Sequence, residues 1–406
     1  MNVLFLTLVN IKDINERGIY HDLMREFIKN GHKVYIVSPA EKRLGESTSL
    51  IKGENYTILR VKIGNAQKTH PLKKAIALFR LEFQYISAIK KHFNNIDFDL
   101  LLYSTPPINL LKPIRYILKN TGAKSYLMLK DIFPQNAVDL QMIAPNGFIH
   151  RYFSRKERKL YEISEFIGCM SKANADYVLQ KNPMLKNVHI LPNSIEPLVV
   201  VDKSNNRAIR EQHGIPHDIK VLFYGGNLGK PQTIPFIIEC LKENCNKNDR
   251  FFLICGTGTE YYKLASYIEE HLPNNVKLIN ELPKDQYDEL IKACDIGLIF
   301  LDRRFTIPNF PSRLLSYMEN SMPVIACTDV NTDLGEIISI GDFGWSCESC
   351  NVSDFTEIID TINSEDIVIK GKNARKYLES HYTVEDSYKI IINNLQSLIK
   401  IPMPSL

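Results

Sequence analysis

The stretch KVLFYGGNLGK (220–230) decides the fold. Val221 to Tyr224 are apolar or aromatic, as a strand buried in a parallel sheet requires. Gly225, Gly226 and Gly229 follow, with Asn227 among them and Lys230 at the end, and a helical pattern comes next. Strand, glycine-rich turn and helix in that order make half of a strand–helix–strand unit. Glycines let a backbone approach a phosphate closely, a helix N-terminus offers free N–H groups and a positive dipole, and Lys230 adds a full charge. An ordinary strand-to-helix turn also favours glycine, so phosphate loop and plain turn both stay open here.

The unit repeats on both sides. C-terminally, Arg250 to Cys255 reads as a strand, followed by Gly256-Thr257-Gly258 and a helix. Further strands are expected at 276–279, 296–300 and 324–327, with helices between. Tyr261 stands where a dinucleotide fingerprint would place its third glycine, and no acidic residue follows in the expected place. The pair therefore reads as a tight turn and the dehydrogenase class is set aside. N-terminally, strands are expected at 2–9, 33–38, 56–63, 100–103, 125–129, 165–170 and 188–191. Gly18 precedes an amphipathic helix over 19–29, which Asn30-Gly31 ends, and a long helix is expected over 72–92. Residues 196–210, with Pro197, Lys203, Ser204, Asn205 and Asn206, show no period and read as the linker.

The expected fold is therefore α/β, with two Rossmann-like domains built on parallel sheets. They span 1–196 and 207–380, and a C-terminal helix, 381–406, can pack back onto the first domain. Ligands bind outside the carboxyl ends of the strands in such sheets, and two such domains facing each other make an inter-domain cleft.

Composition agrees with a globular chain: 406 residues, 44% hydrophobic and 24% charged. No segment reaches the roughly 20 apolar residues of a membrane span. Met1 to Ile11 lacks a basic n-region and a cleavage site, so it reads as a buried strand and the expected location is the cytoplasm. The eight cysteines then read as small buried hydrophobes. Cys347-Glu-Ser-Cys350 lacks a second ligand pair for zinc. Charge is unevenly spread: residues 1–199 hold 29 Lys and Arg against 17 Asp and Glu, a net of +12, and residues 200–406 hold 21 against 29, a net of −8. A basic half calls for an acidic partner. No basic motif interleaved with aromatics is present, so nucleic acid is not expected.

Three further stretches can carry chemistry. In FTIPNFPSRLLSYM (305–318), Pro308 and Pro311 fix a loop and Ser312 can cap a helix starting at Arg313. That places free N–H groups beside a guanidinium, a second anion site, or else a plain capped helix. Asp97-Phe-Asp99 looks like a metal motif but stands at the wrong end of its strand. Asp131 stands at the carboxyl end of its strand, before Ile-Phe-Pro134, where a carboxylate is either functional or part of a surface turn.

Together these pieces resemble the retaining GT-B glycosyltransferases of family 4, over nearly the whole chain. The branch that builds bacterial capsule and O-antigen repeat units is the most similar. Matching pieces are GIYHDLMREFIKNGHKVYIVSP (18–39), KDIFPQ (130–135), LPNSIE (191–196), FYGGNLGK (223–230), NELPKDQYDELIKACDIGLIF (280–300) and NFPSRLLSYMENSMPVIA (309–326). The resemblance implies that Asn227 and Lys230 contact the donor diphosphate, and that Asn309, Phe310, Pro311, Ser312 and Arg313 form the loop and helix start that hold it. Leu282 would meet the nucleotide base, and Gly18 would let the donor phosphates approach. Asp131 would face the reaction centre as the catalytic carboxylate. The family's usual Glu-x7-Glu pair falls on Pro308 and Ser316, neither acidic; Ser316 is left to meet the ribose, with Glu319 one turn on.

The activity so implied is that of a retaining glycosyltransferase of hexosyltransferase type. It would move a sugar from a nucleoside diphosphate sugar, UDP-linked by the same resemblance, to a hydroxyl of a lipid-linked or glycan acceptor in surface polysaccharide synthesis, with no metal or cofactor. Two rivals are a GT-B-type sugar-nucleotide 2-epimerase and a non-catalytic subunit that binds a nucleotide sugar. The basic half implies peripheral contact with the anionic inner face of the cell membrane, through 68–91 and 151–159. Leu72, Ile76, Phe79 and Phe83 recur at helical spacing and either enter that interface or pack on the sheet.

Overall fold

The computed structural model describes residues 1–65, 71–106, 108–199, 204–245 and 247–397, without the side chains of 44, 71–76 and 78. Everything below concerns these residues. They form two compact units, Met1–Glu196 with the chain from Val384 on, and Pro197–Thr383.

The first unit is built on strands β1 (Asn2–Leu6), β2 (Lys33–Glu41), β3 (Ser49–Lys52), β4 (Tyr56–Ile63), β5 (Leu100–Thr105), β6 (Lys124–Leu129), β7 (Phe166–Cys169) and β8 (Val188–Ile190). Their order is β3-β4-β2-β1-β5-β6-β7-β8. All neighbours run parallel except β3 and β4. Strand β5 is buried along its whole length, as expected of a strand covered on both faces. The last helix, Val384–Ser397, lies against Ile19–Lys29. There Val384 and Ile391 join Val3, Phe5, Met24 and Phe27 in one core, and Tyr388 meets Phe27 edge-on at 5.0 Å.

The second unit has strands β9 (Lys220–Gly225), β10 (Arg250–Cys255), β11 (Val276–Ile279), β12 (Ile296–Phe300), β13 (Val324–Thr328) and β14 (Gly344–Glu348), ordered β11-β10-β9-β12-β13-β14 and parallel throughout. All their carboxyl ends therefore share one edge. The core joins Leu222, Tyr224, Phe252, Phe300 and Ile325 with Ile237 and Leu241 of the helix Ile234–Asn244.

Two expectations need correction. The stretch 196–210 is not irregular throughout: Asn206–Gln212 is a helix. Arg210 fastens it to the carbonyl of Ala293 at 2.9 Å and to Asp295 at 2.9 Å. Strands β3 and β14 were not foreseen. No helix among the described residues is long and apolar enough to cross a membrane.

Candidate functional site

In the second unit the glycine loop leaves β9 with its backbone folded over the turn after β10. Gly226 takes a φ of +126°, which favours glycine. Its N–H donates to the carbonyl of Cys255 at 2.9 Å, and that of Leu228 to Thr257 at 2.9 Å. A Cβ on Gly256 would lie 1.8 Å from the Gly226 carbonyl oxygen, and one on Gly258 2.3 Å from that of Leu228. Gly256-Thr-Gly258 is thus the floor on which the glycine loop rests.

Arg313 reaches this loop from the other side. Its guanidinium carbon sits 4.4 Å from the centre of the Tyr224 ring. A Cβ on Gly226 would come within 3.6 Å of it. Its Nη1 is buried without a hydrogen-bond partner, and no carboxylate among the described residues pairs with it. Two more tyrosines complete the frame. Tyr317 accepts from the Gly225 N–H at 3.2 Å and donates to the Leu298 carbonyl at 3.1 Å. The Tyr287 hydroxyl closes over Gly225, where a Cβ would approach it to 2.1 Å. A guanidinium nitrogen buried without a partner calls for an acceptor, and an anion suits it; a bare Gly226 leaves space for one. Sequence reasoning found Arg313 and the loop but missed Tyr224, Tyr287 and Tyr317, which come from three separate elements.

The other expected donor residues are placed as follows. Asn227 is exposed and its amide donates to Gln232 at 2.8 Å. Lys230 is exposed at the start of a single 3-10 turn, Lys230–Gln232, and the helix expected directly after it begins only at Ile234. Its charge therefore acts from the loop and not from a helix N-terminus. Leu282 is half-buried just beyond β11, on the same sheet edge. Ser312 does not cap: it is itself helical, φ −64° and ψ −20°, and makes no capping bond. The following helix, Arg313–Glu319, has seven residues, so the stretch contributes a side chain in place of a helix end. Asn309 is held through its carbonyl by Thr332 at 2.7 Å. Phe310 is buried, with its ring 6.0 Å from that of Tyr382, and Pro311 and Ser316 are half-buried. Glu319 accepts from the Leu198 N–H at 2.9 Å, so its carboxylate is spent on the backbone that enters this unit.

In the first unit Asp131 stands two residues beyond β6. Asn136 donates to its Oδ2 at 2.6 Å, while Oδ1 is buried without a partner. Burial pushes its carboxyl up to about 6, against the pull of Ile132 and Asn136. Lys130 beside it is pushed down to about 7 by burial, its ammonium reaching only the Leu191 and Pro192 carbonyls, each at 3.5 Å. Glu157, on the helix Phe148–Ile163, is pushed up to about 7, mainly by burial, and accepts from the Tyr161 hydroxyl at 2.9 Å. Perturbed acids and bases gathered at a strand's carboxyl end mark a functional site. Lys130 and Asn136 flank Asp131 in sequence; Glu157 carries no sequence signal. The Gly18 N–H donates to Asp22 at 3.0 Å. The Asp97-Phe-Asp99 motif is structural at Asp99, which accepts from the Asn2 N–H at 2.6 Å.

Two α/β domains with parallel sheets make the GT-B architecture. Residues 205–380, within the second unit, match the family described as Glycosyl transferases group 1. The chain is 21% identical over 297 residues to the "Probable glycosyltransferase WbjE" of Pseudomonas aeruginosa, covering 70% of this chain and 71% of that protein. It is similar in structure to Anabaena Alr3699/HepE in complex with UDP, with a TM-score of 0.69 at 16% identity, covering 98% of this chain and 100% of that one. It is also similar to WaaG, a glycosyltransferase involved in lipopolysaccharide biosynthesis, with a TM-score of 0.63 at 14% identity, covering 96% and 99%.

Proposed function

We propose that the protein is a retaining glycosyltransferase that moves a sugar from a nucleoside diphosphate sugar to a hydroxyl of a lipid-linked or glycan acceptor in bacterial surface polysaccharide synthesis. The observation that carries the donor half is the half-buried guanidinium of Arg313 above Gly226, whose Nη1 is buried without a hydrogen-bond partner. When the sugar leaves, negative charge grows on the diphosphate, and a cation already fixed and desolvated stabilises it without reorganisation. Lys230 adds a second, mobile charge. UDP is the first donor base to try, because HepE binds it on the same fold. Asp131, with Oδ1 unpartnered and a carboxyl ionised above about pH 6, suits orienting or deprotonating the acceptor hydroxyl. With Pro308 and Ser316 in place of two acids and Glu319 turned to Leu198, the ribose would be met by Ser316 or by backbone.

The acceptor half rests on the first unit's surface. Phe79 is 66% exposed, Phe83 53%, Phe148 90% and Ile149 58%. Phe79 and Phe83 thus do not pack on the sheet; residues 66–70 and the side chains of Leu72 and Ile76 lie outside the described residues. Lys112 stands 4.2 Å from the Phe83 ring centre and Lys156 5.5 Å from that of Tyr152. Exposed rings with cations over them suit the anionic face of a bilayer, where a lipid-linked acceptor would be found.

The test is to titrate UDP and GDP by calorimetry and then incubate the protein with the matching sugar nucleotides alone. Binding with slow donor hydrolysis is expected. A product isomer would mark an epimerase, binding without turnover a scaffold, and no binding of either nucleotide would remove the donor reading.

A further inference from the structure

Cys327 on β13 and Cys347 on β14 stand in register on neighbouring strands. Their sulfurs lie 3.5 Å apart as hydrogen-bond partners. Cys240, on the helix Ile234–Asn244, packs into the same cluster. Cys350 follows on the turn after β14, exposed and with a φ of +74°. Cys327 is fully buried and Cys347, packed against the same cluster, is half-buried, so of the pair Cys347 is the one a reagent can reach first.

We propose that Cys327 and Cys347 form a thiol–disulfide exchange site for a low-molecular-weight disulfide of the glutathione type. Cys347, as thiolate, attacks one sulfur of the small disulfide. A mixed disulfide forms on Cys347, and the displaced small thiolate takes up the proton Cys347 released. Cys327 then gives up its proton, and its sulfur attacks that of Cys347. The Cys327–Cys347 bond forms and the second small thiolate leaves with the proton from Cys327. Two protein thiols are oxidised by two electrons in all, and one small disulfide is reduced to two thiols. The order of attack follows from the pair itself. Cys347 is the more accessible of the two, and its hydrogen-bond pairing with Cys327 holds its thiol below the ordinary range, while burial pushes Cys327 up. The thiolate is the nucleophile.

Bond formation must draw the sulfurs together by about 1.5 Å, to roughly 2.05 Å. Just beyond the pair, the Ser349 N–H donates to the Thr328 carbonyl at 2.8 Å. The chain from Thr328 continues to Asn331 and Thr332, which hold the candidate donor loop: Asn331 donates to the Phe305 carbonyl at 2.6 Å and Thr332 to that of Asn309 at 2.7 Å. Closing the sulfurs therefore pulls on the loop that ends in Arg313. This second half rests on the donor reading above; the disulfide itself does not.

The experiment treats the full chain with oxidised glutathione, blocks the remaining thiols and maps peptides by mass. A Cys327–Cys347 bridge is expected, reversible by dithiothreitol, together with a several-fold loss of UDP affinity that reduction restores. C350S should still form the bridge, and C347A should lose both the bridge and the oxidant's effect on UDP. No bridge, a bridge between other cysteines, or glutathione found on Cys350 alone overturns the proposal. A bridge with unchanged UDP affinity overturns its link to the donor loop. Reduced protein that fails to bind UDP tells against the donor reading, while the peptide map still decides the disulfide.

Discussion

The ring of Tyr224 lies against the guanidinium of Arg313, centre to carbon 4.4 Å, and its hydroxyl donates to the Asn227 carbonyl at 2.6 Å. One side chain thus fixes both the cation and the loop beneath it. Hydrogen bonds to charged groups are worth about 1.5–3 kcal/mol. Arg313→Ala should weaken UDP binding by about 10–150-fold on that basis. Tyr224→Leu removes a stacking contact of about 0.5–2 kcal/mol and should cost about 2–30-fold. Lys230→Ala should weaken binding too, in a way that salt masks, because Lys230 is exposed. Calorimetry with UDP at low and high salt measures all three; unchanged affinity in Arg313→Ala would place the diphosphate elsewhere.

Gly256→Ala should destabilise the second unit. Its new Cβ would meet the Gly226 carbonyl oxygen at 1.8 Å, backbone that cannot move without leaving its own bond to Cys255. Overpacking of this kind costs about 1–3 kcal/mol. Gly122→Ala, with nothing within 4 Å of the added Cβ, is the control. Thermal unfolding of the two variants should separate them by several degrees, and equal melting temperatures would refute the close packing of the two turns.

Asp131→Asn should lower turnover and raise stability together. The folded carboxyl titrates at about 6 because it is buried, against about 3.9 in the unfolded chain. Between those values the folded state keeps a proton that the unfolded state has lost, so stability falls as pH rises through about 6, and the full cost is present above it. Asn removes that cost, so the variant should melt higher than the parent at pH 7–8 and show no advantage below pH 4. Loss of a catalytic base should cut the rate about 10²–10⁴-fold, and parent activity should rise through about pH 6. Melting curves across pH, read as the difference between parent and variant, check the first part. Donor turnover checks the second.

Membrane contact should need both the rings and the cations. Flotation with anionic liposomes should recover the parent at low salt and release it at high salt. Replacing Phe148 and Ile149 together by Asp should weaken flotation at low salt, since these residues are 90% and 58% exposed and the new charges repel the surface. Equal recovery on neutral vesicles, insensitive to salt, would remove the electrostatic part.

The parallel sheets were legible because most of their strands are short apolar runs closed by a turn or polar residue, a pattern confined to neighbours in sequence. Strand β14, GWSCE, was not: it lies at the sheet edge, only partly buried, so no apolar run marks it. Strand β3 is likewise an edge. The helix Asn206–Gln212 was missed because it is held by Arg210 to residues more than 80 positions away. The same distinction runs through the sites. Gly226 and Asp131 announce themselves within their own turns. The tyrosine frame around Arg313 and the approach of Glu157 exist only once separate strands and helices are assembled. Ser312 misled because a capping residue type was inferred without its backbone angles.

The chain leaves the first unit after Glu196 and re-enters it at Val384, and the Val384 N–H donates to the Ile195 carbonyl at 3.0 Å. Outgoing and returning segments thus lie side by side, and the second unit is, topologically, a long insertion in the first. A chain made from its N-terminus emerges in that order. The inserted unit is complete before the helix Val384–Ser397 exists to cover Met24 and Phe27. The domain begun first is the domain finished last, and until the helix Val384–Ser397 docks its apolar flank stands open to chaperones.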